Sequence, residues 1–200
     1  MRARLDPSVA ALHAATLAAL TAYDPTDDAQ RELRSVYLDR LHAWPDVVLK
    51  EGPPAHLTAS CVVLDAAGGH TLLALHRRAR RWLQFGGHLE PTDTDPHAAA
   101  TREAREESGI EGVAPRAQIV ELDRHVLNGD FGRCREHLDI RYAAVLPVGA
   151  QPTVSAESLD VRWWPVVDLP EGPSGEVARL VDAALRATGL SDGGLGATVP

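Results

Sequence analysis

Apolar residues recur at helical spacing from the start of the chain. Leu5, Val9, Leu12, Leu17 and Leu20 form one stripe and predict an amphipathic helix over 5–22. Pro7 falls in its first turn and Asp6 stands where a cap is needed. Asp24-Pro25-Thr26-Asp27 breaks the pattern and supplies Asp or Thr to cap a second helix. That helix covers 28–43, with Leu33, Val36, Tyr37, Leu38 and Leu41 apolar, and Trp44-Pro45 ends it. The first fifty residues thus read as a helical hairpin, followed by the short linker Gly52-Pro53-Pro54.

From His56 the period shortens. His56 to Asp65 alternates and then runs apolar, Ala66-Ala67-Gly68-Gly69 is a turn, and His70 to His76 is the return strand. Trp82-Leu83-Gln84 reads as a short strand before Gly86-Gly87, taken as a sharp turn. Pro96 opens a helix that Thr94 or Asp95 caps and Gly109 closes. Strands follow at 116–127 and 136–147 around the turn signal Asn128-Gly129-Asp130, and at 161–166. A closing helix covers 174–187, with Ser174 as its cap, and a glycine-rich tail ends the chain. Strands, a helix, more strands and a final helix predict an α/β fold, a mixed sheet between helices. The expected division is 1–50 helical extension, 55–190 main domain and 191–200 flexible tail.

The chemistry concentrates in Arg102-Glu103-Ala104-Arg105-Glu106-Glu107-Ser108-Gly109-Ile110. Glu103, Glu106 and Glu107 stand at i, i+3 and i+4, on one face of a helix. Like charges packed together repel, and a divalent cation removes that cost. Hard oxygen donors suit Mg²⁺, with Mn²⁺ as a substitute. An exposed Arg-Glu helix face would be worth only a few tenths of a kcal/mol, on the order expected of solvated pairs. The added Gly86-Gly87, Ala104, Gly109 and Ile110 favour a functional reading.

This constellation resembles the Nudix box, the signature of the Nudix hydrolases. Its second half matches the family pattern fully. In the first half, Gly87 is followed by five residues and then Asp93, where the family has Glu, and eight residues rather than seven precede Arg102. Thr94 or Asp95 takes the place of Asp93 if the loop slips. Trp82-Leu83-Gln84, His137-Leu138-Asp139 and Glu157-Ser158 ahead of Trp163 also resemble features of bacterial members. The leading helices and His56-Leu57-Thr58-Ala59-Ser60 are similar to one group of them. The resemblance implies a Nudix-type α/β/α sandwich with a mixed sheet behind an N-terminal helical hairpin. It implies Glu103, Glu106 and Glu107 as metal ligands, with Glu106, Glu107 and Arg102 catalytic, Arg102 holding a carboxylate in place. Gly86, Gly87, His88, Glu90, Asp93 and Glu157 are the expected substrate-binding residues. The general base stays open among Glu157, Glu136 and Glu121.

Composition narrows the partners. A formal net charge of −8 without a long basic run argues against duplex nucleic acid. The apolar fraction of 44% suffices for a core, and no apolar run is long enough to span a membrane. Cys61 and Cys134 form no Cys-x-x-Cys pair and no zinc spacing. Cys61 lies in an apolar run and reads as buried and inert, Cys134 as a free thiol. Two cysteines make no disulfide framework, so a cytoplasmic location is expected.

Other residues carry weaker signals. His88 approaches phosphate or serves structure, and His137 and Asp139 alternate on one strand face. His56, His76 and His125 read as surface or satisfied core residues rather than ligands. Trp82, Phe85, Phe131, Tyr142, Trp163 and Trp164 are candidates for an aromatic shelf, with core packing the commoner role. Arg77, Arg78, Arg80 and Arg81 meet outer phosphates or face solvent.

The expected function is Mg²⁺-dependent hydrolysis of a phosphoanhydride in a nucleoside diphosphate linked to another moiety. The partner is a small nucleotide derivative, and a homodimer is a further expectation. Family markers for ADP-ribose and for diadenosine polyphosphates do not match at 125–128, so the substrate stays open. The alternative is a nucleotide-sensing Nudix-like regulator, which usually loses box carboxylates. Isopentenyl-diphosphate isomerase shares the fold but needs a cysteine motif absent around Cys61 and Cys134.

Overall fold

A computed structural model describes residues 5–127, 132–170 and 175–191. The turn at Asn128-Gly129-Asp130, Phe131, Ser174 and the tail after Ser191 lie outside the described residues. The elements are α1 (Pro7–Ala22), α2 (Asp28–Ala43), a 3₁₀ turn (Pro45–Val48), β1 (Ala55–Asp65), β2 (His70–His76), β3 (Trp82–Leu83) and β4 (Phe85–His88). They continue with α3 (Pro96–Ser108), β5 (Glu121–Val126), β6 (Glu136–Leu146), β7 (Ser158–Pro165) and α4 (Glu176–Thr188).

Seven strands form one sheet in the order β3-β2-β1-β6-β5, with β4 paired to β1 and β7 to β2. The pairs β1–β2, β2–β3, β2–β7 and β5–β6 are antiparallel. At one end of β1 and β6 the Arg135 N–H donates to the Pro54 carbonyl at 2.8 Å. At the other the Ala66 N–H donates to the Leu146 carbonyl, also at 2.8 Å. Starts meet starts and ends meet ends, so β1 and β6 run parallel and the sheet is mixed. The fold is α/β, as expected. From Leu57 to Asp65 every residue of β1 is buried, which its central place requires and its long apolar run foreshadows.

The chain divides into two compact units. The first comprises Met1–Ala59, Gly87–Ala99 and Glu121–Arg141. In it the hairpin forms where predicted. Asp6 accepts the Ser8 N–H and Asp27 the Gln30 N–H, each at 2.8 Å. These caps satisfy amides that the first turn leaves without helical partners. Arg34 bridges the helices by donating to the Leu20 and Thr21 carbonyls at 2.8 and 2.6 Å. On the strand side, Gln30 makes both bonds of a strand partner to Leu122: its amide donates to the carbonyl at 2.9 Å and its oxygen accepts the N–H at 2.7 Å. The buried Tyr37 hydroxyl lies 2.5 and 3.0 Å from the Asp123 and Asp139 carbonyls. Two helical side chains thus fasten the hairpin to β5 and β6.

The second unit comprises Ser60–Gly86, Ala100–Val120 and Tyr142–Pro200. Its core packs Val62, Leu64, Leu73, Val120 and Ala143 with Val177, Leu180, Val181 and Ala184 of α4. Each large aliphatic side chain buried this way stabilises the fold by about 1.5–3 kcal/mol.

Several elements differ from expectation, among them β7, which starts at Ser158 rather than 161. β5 starts at Glu121, not 116. There the Arg116 N–H donates to the Ala143 carbonyl, and its guanidinium holds the Ala187 and Thr188 carbonyls at 3.1 Å. The Arg116 N–H thus meets β6 out of the Glu121↔Arg141 register, so the ladder does not continue to it. α4 starts at Glu176 behind a left-handed Gly175, without a side-chain cap. Gly86 and Gly87 make no sharp turn: they lie inside β4, and neither has a positive φ. Strand pairing with β1 keeps them extended.

Candidate active site

Asp95 accepts the Ala98 N–H at 2.8 Å and so caps α3. Gly109 ends it with φ +66°. A Cβ at Gly109 would stand 2.6 Å from the Thr153 Cβ, so both backbone and space demand glycine. Between these ends the helix presents Arg102, Glu103, Glu106 and Glu107. The Arg102 guanidinium donates to Glu103 at 2.9 Å and to Glu106 at 3.3 Å. Glu107 is buried, and its carboxylate accepts the Gly86 N–H at 3.0 Å. The Glu103 side chain is largely buried, whereas Glu106 reaches solvent.

This face holds more negative charge than its one neighbouring arginine balances. Burial pushes the Glu107 carboxyl up to about 8, against the lowering pull of the Gly86 N–H, and Glu103, Glu157 and Glu106 add to the rise. Burial also raises Glu103. Arg102 opposes that shift, while Glu106 and Glu157 reinforce it. Glu157 therefore belongs to the same electrostatic cluster, although nearly fifty positions separate it from α3. The other candidate bases are occupied elsewhere. Glu121 pairs with Arg141 at 2.7 Å and Glu136 with Arg124 at 2.6 Å. Hard oxygens carrying excess negative charge on one helix face fit a divalent cation such as Mg²⁺.

The remaining candidates sort differently. Asp93 is buried and accepts the Glu90 N–H at 2.8 Å, while its own N–H donates to the Glu90 carbonyl at 2.9 Å. This reciprocal turn lies in the loop that carries the inserted residue. The Arg77 guanidinium is engaged by the Ala156 and Ser158 carbonyls. Phe85 and Tyr142 are core residues. Trp82 and Trp164 meet edge to face at 5.1 Å with Arg162 against both rings, and the Trp163 N–H donates to the Ala150 carbonyl. Burial raises the Cys61 thiol, in keeping with an inert core residue.

His88 sits beside His56, His137 and Cys134, all in the first unit. The three rings lie 5.1–5.2 Å apart, and the Cys134 Sγ is 3.9 Å from His88 Nε2. His125 adds an edge contact to His137 at 5.4 Å and pairs with Asp123 through Nδ1 at 2.8 Å. Burial lowers His56, His88 (to about 4) and His137 (to about 3), so these imidazoles are neutral at pH 7. His56 is thus neither a surface residue nor a satisfied core one. It is buried, and its Nε2, like that of His137, has no partner. Sequence reasoning missed this cluster because its members come from three strands and a loop. The Cys134-x-x-His137 spacing was its one local trace.

The NUDIX domain model matches residues 54–184. Among solved structures, an Ap4A hydrolase of C. elegans is similar at TM-score 0.54 and 19% identity, over 66% of this chain and 97% of the other. A MutT protein from Methanosarcina mazei Go1 matches at TM-score 0.53 and 19% identity, over 68% and 96%. The E. coli dihydroneopterin triphosphate pyrophosphohydrolase matches at 0.52 and 18%, over 65% and 95%. At these identities the likeness concerns the fold. A search of curated proteins found no match. The chain belongs to the NUDIX family, whose model spans the box and all the described strands. It is an enzyme acting on phosphoanhydrides, and the family generally uses divalent metals.

Proposed function

We propose that this enzyme hydrolyses the phosphoanhydride of a nucleoside diphosphate linked to another moiety, with Mg²⁺ or Mn²⁺ held by Glu103, Glu106 and Glu107. The observation that carries this reading is the carboxylate face of α3: Glu107 is buried on the Gly86 N–H, and Glu103 and Glu106 share Arg102 beside it. Its ligand set would be relieved by a cation. When bound, the metal neutralises phosphate oxygens and acidifies water.

The chain's own residues do the rest. Arg102 holds Glu103 and Glu106 together by donating to both from Nη1. The Gly86 N–H orients Glu107, which would be among the residues that hold the metal. Glu157, exposed and close enough to raise Glu103 and Glu107, takes the proton of the attacking water as general base. His88 stands in the histidine cluster, and we do not assign it to substrate. Glu90 and Asp93 shape the loop between β4 and α3. The unpaired thiols of Cys61 and Cys134 support a reducing, cytoplasmic setting. No helix among the described residues is long and apolar enough to cross a membrane.

The test is product release across a panel of nucleoside diphosphate sugars, ADP-ribose, dinucleoside polyphosphates and nucleoside triphosphates, with and without Mg²⁺. Turnover that needs the metal and prefers one class supports the reading. Ligand binding without turnover on any member overturns it.

A further inference from the structure

We propose that His56, His88, Cys134 and His137 form a structural Zn²⁺ site, separate in residues and donor chemistry from the carboxylate face of α3. One ligand atom from each lies within 4.8 Å of all the others. Around a tetrahedral zinc, donor atoms stand roughly 3.3–3.7 Å apart, given Zn–N and Zn–S bonds of about 2.0–2.3 Å. The 3.9 Å between Cys134 Sγ and His88 Nε2 is already close to that spacing. Small side-chain rotations close the remainder.

The strands supply the scaffold. His56 is the second residue of β1, His88 the last of β4 and His137 the second of β6, and Cys134 lies just before β6. β1 pairs with β4 and β6, so the central strand gathers the three histidines. The Pro54 carbonyl accepts the Arg135 N–H, which tethers the segment carrying Cys134.

Hydrogen bonding prepares His56 for a metal. Its Nδ1 lies 3.0 Å from the Pro53 carbonyl. A carbonyl only accepts, so the proton is on Nδ1 and Nε2 carries the lone pair. That is the arrangement by which a backbone carbonyl orients a metal-bound imidazole. The same Nε2 is buried without a partner, as is His137 Nε2. Two unsatisfied ring nitrogens, a third imidazole and a thiol facing one another make little sense as polar packing, because native structures pair buried polar atoms. A zinc ion satisfies them together.

The donor set selects the ion. Three imidazole nitrogens and one thiolate suit Zn²⁺ and disfavour Mg²⁺, which takes oxygen. Four protein ligands also close the tetrahedron and leave no position for substrate or water, so the site is structural. On binding, the Cys134 thiol gives up its proton to solvent and coordinates as thiolate. The ion would clasp the start of β1, the end of β4 and the entry to β6.

The experiment uses the full chain. Protein purified with zinc in the medium is dialysed and its metal measured by mass spectrometry, alongside Cys134→Ser, His137→Asn and Glu107→Gln. We expect about one zinc per chain in the wild type and in Glu107→Gln, and a fall of at least about fivefold in the other two. A parallel sample is stripped with chelator and reloaded with Co²⁺. A tetrahedral visible spectrum with a thiolate charge-transfer band is expected. The cobalt readout needs only the wild type, so a variant that fails to fold does not blunt the test. Absence of zinc after incubation with micromolar Zn²⁺, a cobalt spectrum without the sulfur band, or zinc lost only in Glu107→Gln would each overturn the proposal.

Discussion

Glu107 accepts the Gly86 backbone N–H at 3.0 Å, so a strand amide holds the buried carboxylate of the box helix. This bond joins residues 21 positions apart.

Replacing Glu107 or Glu106 by Gln keeps the shape and removes the charge. We expect kcat to fall by at least about a hundredfold in each, the scale seen when a charge-stabilising group is lost. The far-ultraviolet circular dichroism should be unchanged, because loss of a carboxylate relieves repulsion. Near-wild-type turnover in both variants would show that the box takes no part in the chemistry.

The raised Glu107 carboxyl gives a signed pH dependence. In the metal-free fold it titrates at about 8, against 4.5 for an ordinary Glu. Between those values the folded chain holds a proton that the unfolded chain releases. Its contribution to stability is complete below about 4.5 and is lost as pH rises through 8. Without metal, the melting temperature of the wild type should therefore fall relative to Glu107→Gln over that window. Mg²⁺ should restore it most at the alkaline end, where the carboxylate is free to bind. Parallel wild-type and variant curves across the window would contradict this account.

Arg141 is fully buried and binds Glu121 at 2.7 Å, Asp123 at 3.1 Å and Asp139 at 3.0 Å. One guanidinium here binds three carboxylates. Arg141→Met should destabilise the fold by about 3–5 kcal/mol, because buried charge is left uncompensated. Urea titration measures this directly. A loss below about 1 kcal/mol would place the cluster in effective contact with water.

A chain starting at Gly52 loses Gln30 and Tyr37 and thus four of the bonds that fasten the hairpin to Leu122, Asp123 and Asp139. We expect an insoluble or aggregating product, scored by size-exclusion chromatography. A soluble monomer with unchanged kcat/KM across the substrate panel would make the hairpin dispensable to both packing and specificity.

The local signals were legible in the sequence. Helical stripes, the Asp6, Asp27 and Asp95 caps and the left-handed Gly109 depend on neighbours a few positions away. The i, i+3, i+4 carboxylates share a face for the same reason: helix geometry alone puts them there. Other features needed long-range pairing. Strand partners decided that Gly86-Gly87 stays extended and that the segment from Arg116 is not strand. Glu157 acts electrostatically on Glu103 and Glu107 while Glu121 and Glu136 meet arginines, and no local pattern in the sequence separates the three. Nothing near His56 in the chain marked it as the neighbour of other imidazoles. Its ring meets His88, Cys134 and His137 only once β1 lies beside β4 and β6. Sequence spacing records contacts made through one helix or one turn, whereas burial and charge balance arise from residues that only the folded sheet brings together.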